Sequence, residues 1–414
     1  MSRAAAGISA VAVALAAGAC SGDAGIPSAE VVDSAGVRVV SYDLTDVPIP
    51  TYRTVASHDL EVGTQDGAPE YAFSSIPDLA VTSDGSIVVS DAVARELRVY
   101  AAGGTYVRTI GRRGEGPGEF SGAPMIAGIA GDTMFAFDAR TVRVTSFGLD
   151  GELIETTSPG TDEIGRPQSM IRQDDGTYLM VSRWVAPGAE EELYDVRMEL
   201  DSIVIEHVDA TGALIDTMRV MAERSRARRV QSPRAGVFSV LQADTPYSPR
   251  AFVRSDGARA TLAFSDAFEL ELRDSRGEVA TILRVLGVGH PATADDIRAV
   301  QEARLREELG DGEIAPAVRR LNLDFLPDRL PAFASVRISD EGDIWVALME
   351  YDASGGYDWL VFTPAGELRG SVHTPADLQL FAIRGDHIVG VFRDELDVPY
   401  VRRHPLVVQE REGA

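Results

Sequence analysis

The residues able to do chemistry are few and scattered. Six histidines stand at positions 58, 207, 290, 373, 387 and 404, with no pair at metal-ligand spacing and no His-Glu-x-x-His run. No Gly-x-Ser-x-Gly turn exposes a nucleophile. All 39 basic residues are arginine, which excludes a Schiff-base lysine and a phosphate-cradling P-loop lysine. The single cysteine, Cys20, excludes an intramolecular disulfide and a cysteine-rich metal centre. No catalytic residue and no cofactor is expected from this inventory. The 64 acidic residues outweigh the 39 arginines to leave a net charge of −25. Such a surface repels phosphate backbones, so nucleic acid is not an expected partner.

Binding chemistry is better represented. The run GRRGEGPGEF at 111–120 sets Arg112, Arg113 and Glu115 among four glycines. Successive backbone N–H groups there could cradle an anion. The competing reading is a stiff crossover that needs Gly for φ and Pro for rigidity. Trp184, Tyr194, Tyr351, Tyr357 and Trp359 fall in or beside what read as loops, where an aromatic face could stack on a sugar or peptide. Arg224, Arg226, Arg228 and Arg229 form a basic cluster suited to an acidic partner or lipid headgroups, or a solvated loop.

These residues need a scaffold, and repetition supplies one. SDGSIVVSDAVARELRVY at 83–100 returns as AGDTMFAFDARTVRVTSF at 130–147, with Asp91 and Asp138, Tyr100 and Phe147, and Phe73 and Phe120 each 47 apart. A Gly-x-apolar turn recurs at Gly104, Gly151, Gly212, Gly277 and Gly366, and an earlier turn at Gly85, Gly176, Gly257, Gly342 and Gly385. Glycine supplies the positive φ such hairpins require. Between turns lie alternating or β-branched segments such as Ile87-Val88-Val89. Four antiparallel strands at a period of about 40–50 residues predict a β-propeller.

Five full units fall at about 76–111, 123–158, 167–222, 249–287 and 333–375, and a three-strand group at 378–408. The orphan YRTVASHDLEVG at 52–63 fits the missing fourth strand, closing a ring of six and removing its sheet edges. The expected class is all-β: a six-bladed propeller with one short helical insertion. That helix is predicted after Thr293 and Asp296, a capping-box variant, and before Gly310.

With GRRGEGPGEF, the preceding YVRTI at 106–110 and the ring of six, residues 53–408 resemble the bacterial six-bladed β-propeller lipoproteins related to the NHL repeat. The resemblance implies a fold and a surface location and no particular activity. The N-terminus agrees with it. Residues 1–19 carry one Arg and then a short apolar run, too short and weak for a membrane span. Cys20 follows Ala17, Gly18 and Ala19, which resembles a lipoprotein signal with Cys20 as the lipidated first residue. The layout expected is signal peptide 1–19, lipidated Cys and tether 20–51, propeller 52–408 and tail 409–414.

Three insertions, 183–200, 223–248 and 288–332, all fall in B–C or D–A connections, on one face of the ring. Long loops in compact folds tend to be functional. The function expected is an envelope-anchored module binding a protein, peptide or carbohydrate through that face, held to the outer membrane or periplasmic face by its lipid. The rival is a Ca²⁺-dependent lactonase- or lyase-like propeller using channel carboxylates such as Asp78, Asp91, Asp138 and Asp266. The last three recur at equivalent positions after strand B, where turn formation also accounts for them.

Overall fold

Each blade begins with a short strand lining a central channel and steps outward through antiparallel neighbours. The computed structural model describes residues 25–159, 166–184, 196–231, 238–244, 247–288, 293–309, 330–349 and 355–408. Blade 1 runs from strand A (Leu79–Val81) through B (Ile87–Asp91) and C (Glu96–Tyr100) to D (Tyr106–Ile110). The A strands of blades 2 to 6 are Met125–Ala130, Arg166–Arg172, Ala251–Ser255, Phe333–Ile338 and Leu378–Arg384. The recurring glycines do what their spacing predicted: Gly104, Gly151, Gly212, Gly277 and Gly366 all sit at φ between 81° and 91°.

The strands are apolar on both faces because each blade is covered on both sides. In strand B of blade 1, Val88 faces blade 2, packing with Leu97, Phe120 and Met134. Ile87 and Val89 on either side face blade 6, packing with Val389 and Val401. In blade 5, Ile344 and Val346 join the blade 4 interface while Trp345 and Ala347 join blade 6. The period of two in a pleated strand thus deals successive side chains to alternate interfaces. Six buried clusters result, one between each pair of neighbouring blades.

The ring closes as the orphan segment required. Arg53–Val55 and Leu60–Val62 both pair antiparallel with the last strand, Pro399–Val408. Val62 is 2% exposed and packs with Val401 and Phe73. Arg402 and Arg403 add ion pairs to Glu61 and Asp59 at 2.7 and 2.9 Å.

The tether expected over 20–51 is only partly one. Glu30–Ser34 and Val37–Asp43 form a hairpin, and the second of these strands pairs parallel with strand D of blade 4, Val279–Leu286. Val40, Tyr42 and Leu44 are at most 4% exposed inside the blade 4–5 core. The chain then passes blade 5, where Tyr52 N–H donates to Ser371 O at 2.7 Å and Ser371 N–H to Pro50 O at 2.9 Å. Residues 37–62 therefore belt the outer rim of blades 4, 5 and 6 in turn. Gly370 permits this: its φ is 136°, and a Cβ there would meet Pro50 O at 2.5 Å.

Two insertions also differ from loops. In blade 3, strand C spans Val196–Val208 and strand D spans Leu214–Gln231, with a fifth strand at Phe238–Asp244. The arginine cluster at 224–229 therefore lies on a paired strand, Arg224 opposite Leu200 and Arg228 opposite Val196. The extension keeps to the predicted face, since it prolongs the start of strand C and the end of strand D. The third insertion carries the helix, Ala294–Leu309. Thr293 and Asp296 close a reciprocal cap: Asp296 N–H donates to Thr293 Oγ1 at 3.2 Å, and Thr293 N–H to Asp296 Oδ2 at 2.8 Å.

Candidate functional site

A cavity of about 400 Å³ opens on the B–C and D–A face between blades 5 and 6. Strand A of blade 5 supplies Ser335 and Arg337, and its strand C, Tyr357–Phe362, supplies Tyr357 and Trp359. Blade 6 supplies Gln379 and Leu380 from strand A and Val391 and Arg393 from strand B, His387–Arg393. The volume is that of an ordinary small-ligand pocket, and the mixture of apolar wall and few polar groups is typical of one.

Trp359 lies on a strand and not on a loop. It is 4% exposed, its indole N–H donates to Thr374 Oγ1 at 2.9 Å, and its ring meets Trp345 edge-on at 6.4 Å. It is fixed wall rather than a projecting platform. Trp184 ends strand B of blade 3 opposite Ser202 and is 43% exposed. Tyr194, Tyr351 and Cys20 lie outside the described residues.

The glycine-rich run forms a closed structure of its own. Arg112–Arg113 pairs parallel with Glu119–Phe120. The Glu119 carboxylate takes Arg112 Nε at 2.8 Å and the Gly116 N–H at 2.9 Å, which holds its pKa below the ordinary value. Arg143 donates to Glu115 O and Glu119 O at 2.8 and 3.1 Å, and Phe120 is buried. The nest that could have held an external anion is filled from within by Glu119, and the crossover reading accounts for the loop. Arg113 and the Glu115 side chain are exposed on its rim.

Sequence reasoning passed over two arginines that the ring brings together. Arg254 in strand A of blade 4 donates from Nε to Val336 O of blade 5 at 2.9 Å. Arg337 of blade 5 donates from Nε to Leu380 O of blade 6 at 2.9 Å and from Nη1 to the same Val336 O at 3.0 Å. Both guanidinium groups thus meet at one carbonyl oxygen. Arg254 follows Val253 and precedes Ser255, and Arg337 lies between Val336 and Ile338, so each reads as an ordinary polar strand residue; only circular order makes them adjacent. Asp78 of blade 1 accepts the Ile126 N–H at 2.8 Å. Burial pushes its pKa up to about 6, against those N–H bonds and the charges of Arg337 and Arg254. Burial, and then the like charge of Arg254, push Arg337 down to about 9. By surface exposure all three are only part-buried. The blades surround these groups, and their tips are open to the channel.

Asp91 and Asp138 are committed to backbone N–H groups and, for Asp91, an arginine. Asp91 accepts the N–H groups of Val93 and Ala94 and meets Arg98 at 3.2 Å. Asp138 accepts those of Ser121, Gly122 and Arg140. Asp266 is exposed. Among the described residues no group of three or more His, Cys, Asp or Glu side chains is placed to hold a metal ion. The channel opens at the other face into a mouth of about 340 Å³, ringed by residues of all six blades. Its charges are largely paired, Asp256 with Arg259 at 2.7 Å and Asp340 with Arg384 at 3.8 Å. No helix among the described residues is long and apolar enough to cross a membrane.

Comparison with known proteins bears on the fold. The family described as 6-bladed beta-propeller, DUF5128, matches residues 64–183. None of the curated proteins matches the sequence. A Bacteroides fragilis protein whose name describes it as exported is 13% identical, with 90% of this chain and 100% of that one covered and a TM-score of 0.51. A Bacteroides vulgatus member of the DUF4221 family is 8% identical, with 86% and 98% covered and a TM-score of 0.49. Virginiamycin B lyase of Staphylococcus aureus is 9% identical, with 84% and 98% covered and a TM-score of 0.40. At these identities the likeness extends to architecture alone. Six inter-blade cores, a ring closed by N-terminal strands and the family match over 64–183 make this chain a six-bladed β-propeller.

Proposed function

We propose that the protein is an exported, lipid-anchored binding module that takes a small molecule, or the end of a peptide or glycan, on the face carrying the B–C and D–A links. The observation that carries this reading is the cavity of about 400 Å³ between blades 5 and 6, which opens on the face where the long insertions gather. Its aromatic and aliphatic walls supply contact area, and Arg337, Gln379 and Arg393 supply orientation. The anchor reading rests on Cys20 after a short apolar run. Two or more acyl chains on that residue hold a protein stably at a membrane.

Mass spectrometry of small molecules released from the purified protein tests the site. Gln379 is exposed at the cavity rim, so Gln379→Trp blocks the entrance while leaving the core alone. A compound retained by the wild type and lost from Gln379→Trp supports the reading; equal retention moves the site elsewhere. For the anchor, Cys20→Ser is expected to shift the protein from the membrane to the soluble fraction, and an unchanged distribution overturns it.

A further inference from the structure

We propose that Arg337, with Arg254 behind it at the same carbonyl oxygen, makes the inner end of the blade 5–6 cavity a receptor for an oxyanion, a carboxylate or phosphate carried on an apolar or aromatic body. The inference rests on the reading of that cavity as the binding site.

Two like charges are held at one carbonyl oxygen, Val336 O, by contacts of 2.9 and 3.0 Å. Among the described residues neither arginine forms an ion pair, and the Nη2 of each has no hydrogen-bond partner. Asp78 offsets part of their charge at longer range, but its carboxylate is held by the Ile126 N–H and forms no ion pair with either among the described residues. Two part-buried cations held at one oxygen repel each other, and an anion that meets both relieves that repulsion. Each guanidinium is already locked through Nε onto the next blade, so its free edge is oriented before any ligand arrives. Arg337 also lines the cavity, whose walls beyond it are Trp359, Leu380 and Val391. The charged end of a ligand therefore points to the channel and its apolar body lies against Trp359. A metal ion is disfavoured at the same place by the two positive charges.

Isothermal titration with 3-phenylpropionate, phenyl phosphate and the uncharged 3-phenylpropionamide tests this. These probes share an aromatic body and differ at the head. One or both anions are expected to bind at least about tenfold tighter than the amide, as one bidentate charged contact provides. The better of the two identifies the oxyanion. Arg337→Met is expected to erase that difference. If the amide binds as tightly as both anions, or if the preference survives Arg337→Met, the proposal is overturned. Should Arg337→Met not fold, the wild-type comparison alone decides. Gln379→Trp separates this failure from that of the cavity reading: anion preference that persists when the rim is blocked places the anion outside the cavity. Amide binding lost in Gln379→Trp without any anion preference leaves the cavity reading standing and removes only the oxyanion.

Discussion

Tyr42 offers a direct test of whether residues 37–43 belong to the propeller. Its ring is 4% exposed in the blade 4–5 core, set against Phe362 at a centroid distance of 6.0 Å. Its hydroxyl oxygen accepts the N–H of Leu368 at 2.8 Å, and Leu368 is itself 5% exposed. Truncating a buried aromatic to Ala costs about 3–5 kcal/mol through lost burial and the cavity left behind. Orphaning the Leu368 N–H adds about 1–2 kcal/mol. Tyr42→Ala should therefore destabilise the protein by about 4–7 kcal/mol, and Tyr42→Phe by the hydrogen-bond share alone. Val32 on the outer strand of the same hairpin is 40% exposed, and Val32→Ala should stay within about 0.5 kcal/mol. Urea unfolding followed by far-UV circular dichroism measures all three. Midpoints for Tyr42→Ala and Val32→Ala that coincide would refute the reasoning: residues 37–43 would then be the tether that their position suggests.

Gly370→Ala should loosen the belt at blade 5, because its Cβ would meet Pro50 O at 2.5 Å at a φ of 136°; a melting temperature equal to the wild type's contradicts this. Deletion through residue 63 should expose the edge of the last strand and yield aggregated protein by size-exclusion chromatography, whereas deletion through residue 29 should leave a monodisperse peak. Asp78 has a folded pKa of about 6, above its ordinary 3.8, so its contribution to stability is full below pH 4 and is lost as pH rises through 6. Asp78→Asn should gain on the wild type between pH 4 and 7, by no more than about 3 kcal/mol since the group is part-exposed; stability curves that run parallel over that range refute it.

Architecture was legible because it is written locally. Turn glycines fix φ one residue at a time, and the Thr293–Asp296 cap involves four residues. Ring closure was legible from arithmetic, three strands at one end and one at the other. The rim belt was missed although VVDS and VRVVSYD flank Ala35-Gly36 as any hairpin does. That segment lay outside the repeat period, and its partner is a parallel strand more than 200 residues away, which no local pattern announces. The site was less legible still. Trp359 was visible as an aromatic in or beside a loop, but the start of strand C at Tyr357 decides that it faces inward. Arg254 and Arg337 are 83 residues apart and meet only because blades 4 and 5 are neighbours. Conversely, the conspicuous Arg112 was already neutralised by Glu119, seven residues on.

The rim belt also sets a schedule for folding. Glu61 meets Arg402 across 341 residues of chain, and Tyr42 meets Leu368 across 326. The strand that closes the ring follows the first strands by more than 300 residues of chain, so it is the last to become available to them. Until then blades 1 to 5 form an open arc with an unfilled edge at each end. What holds the arc together meanwhile is local: each blade is a run of hairpins, and each inter-blade core other than the closing one joins neighbours in sequence. The first segments made are thus among the last to be secured, and the waiting time falls on the strands most exposed to wrong partners.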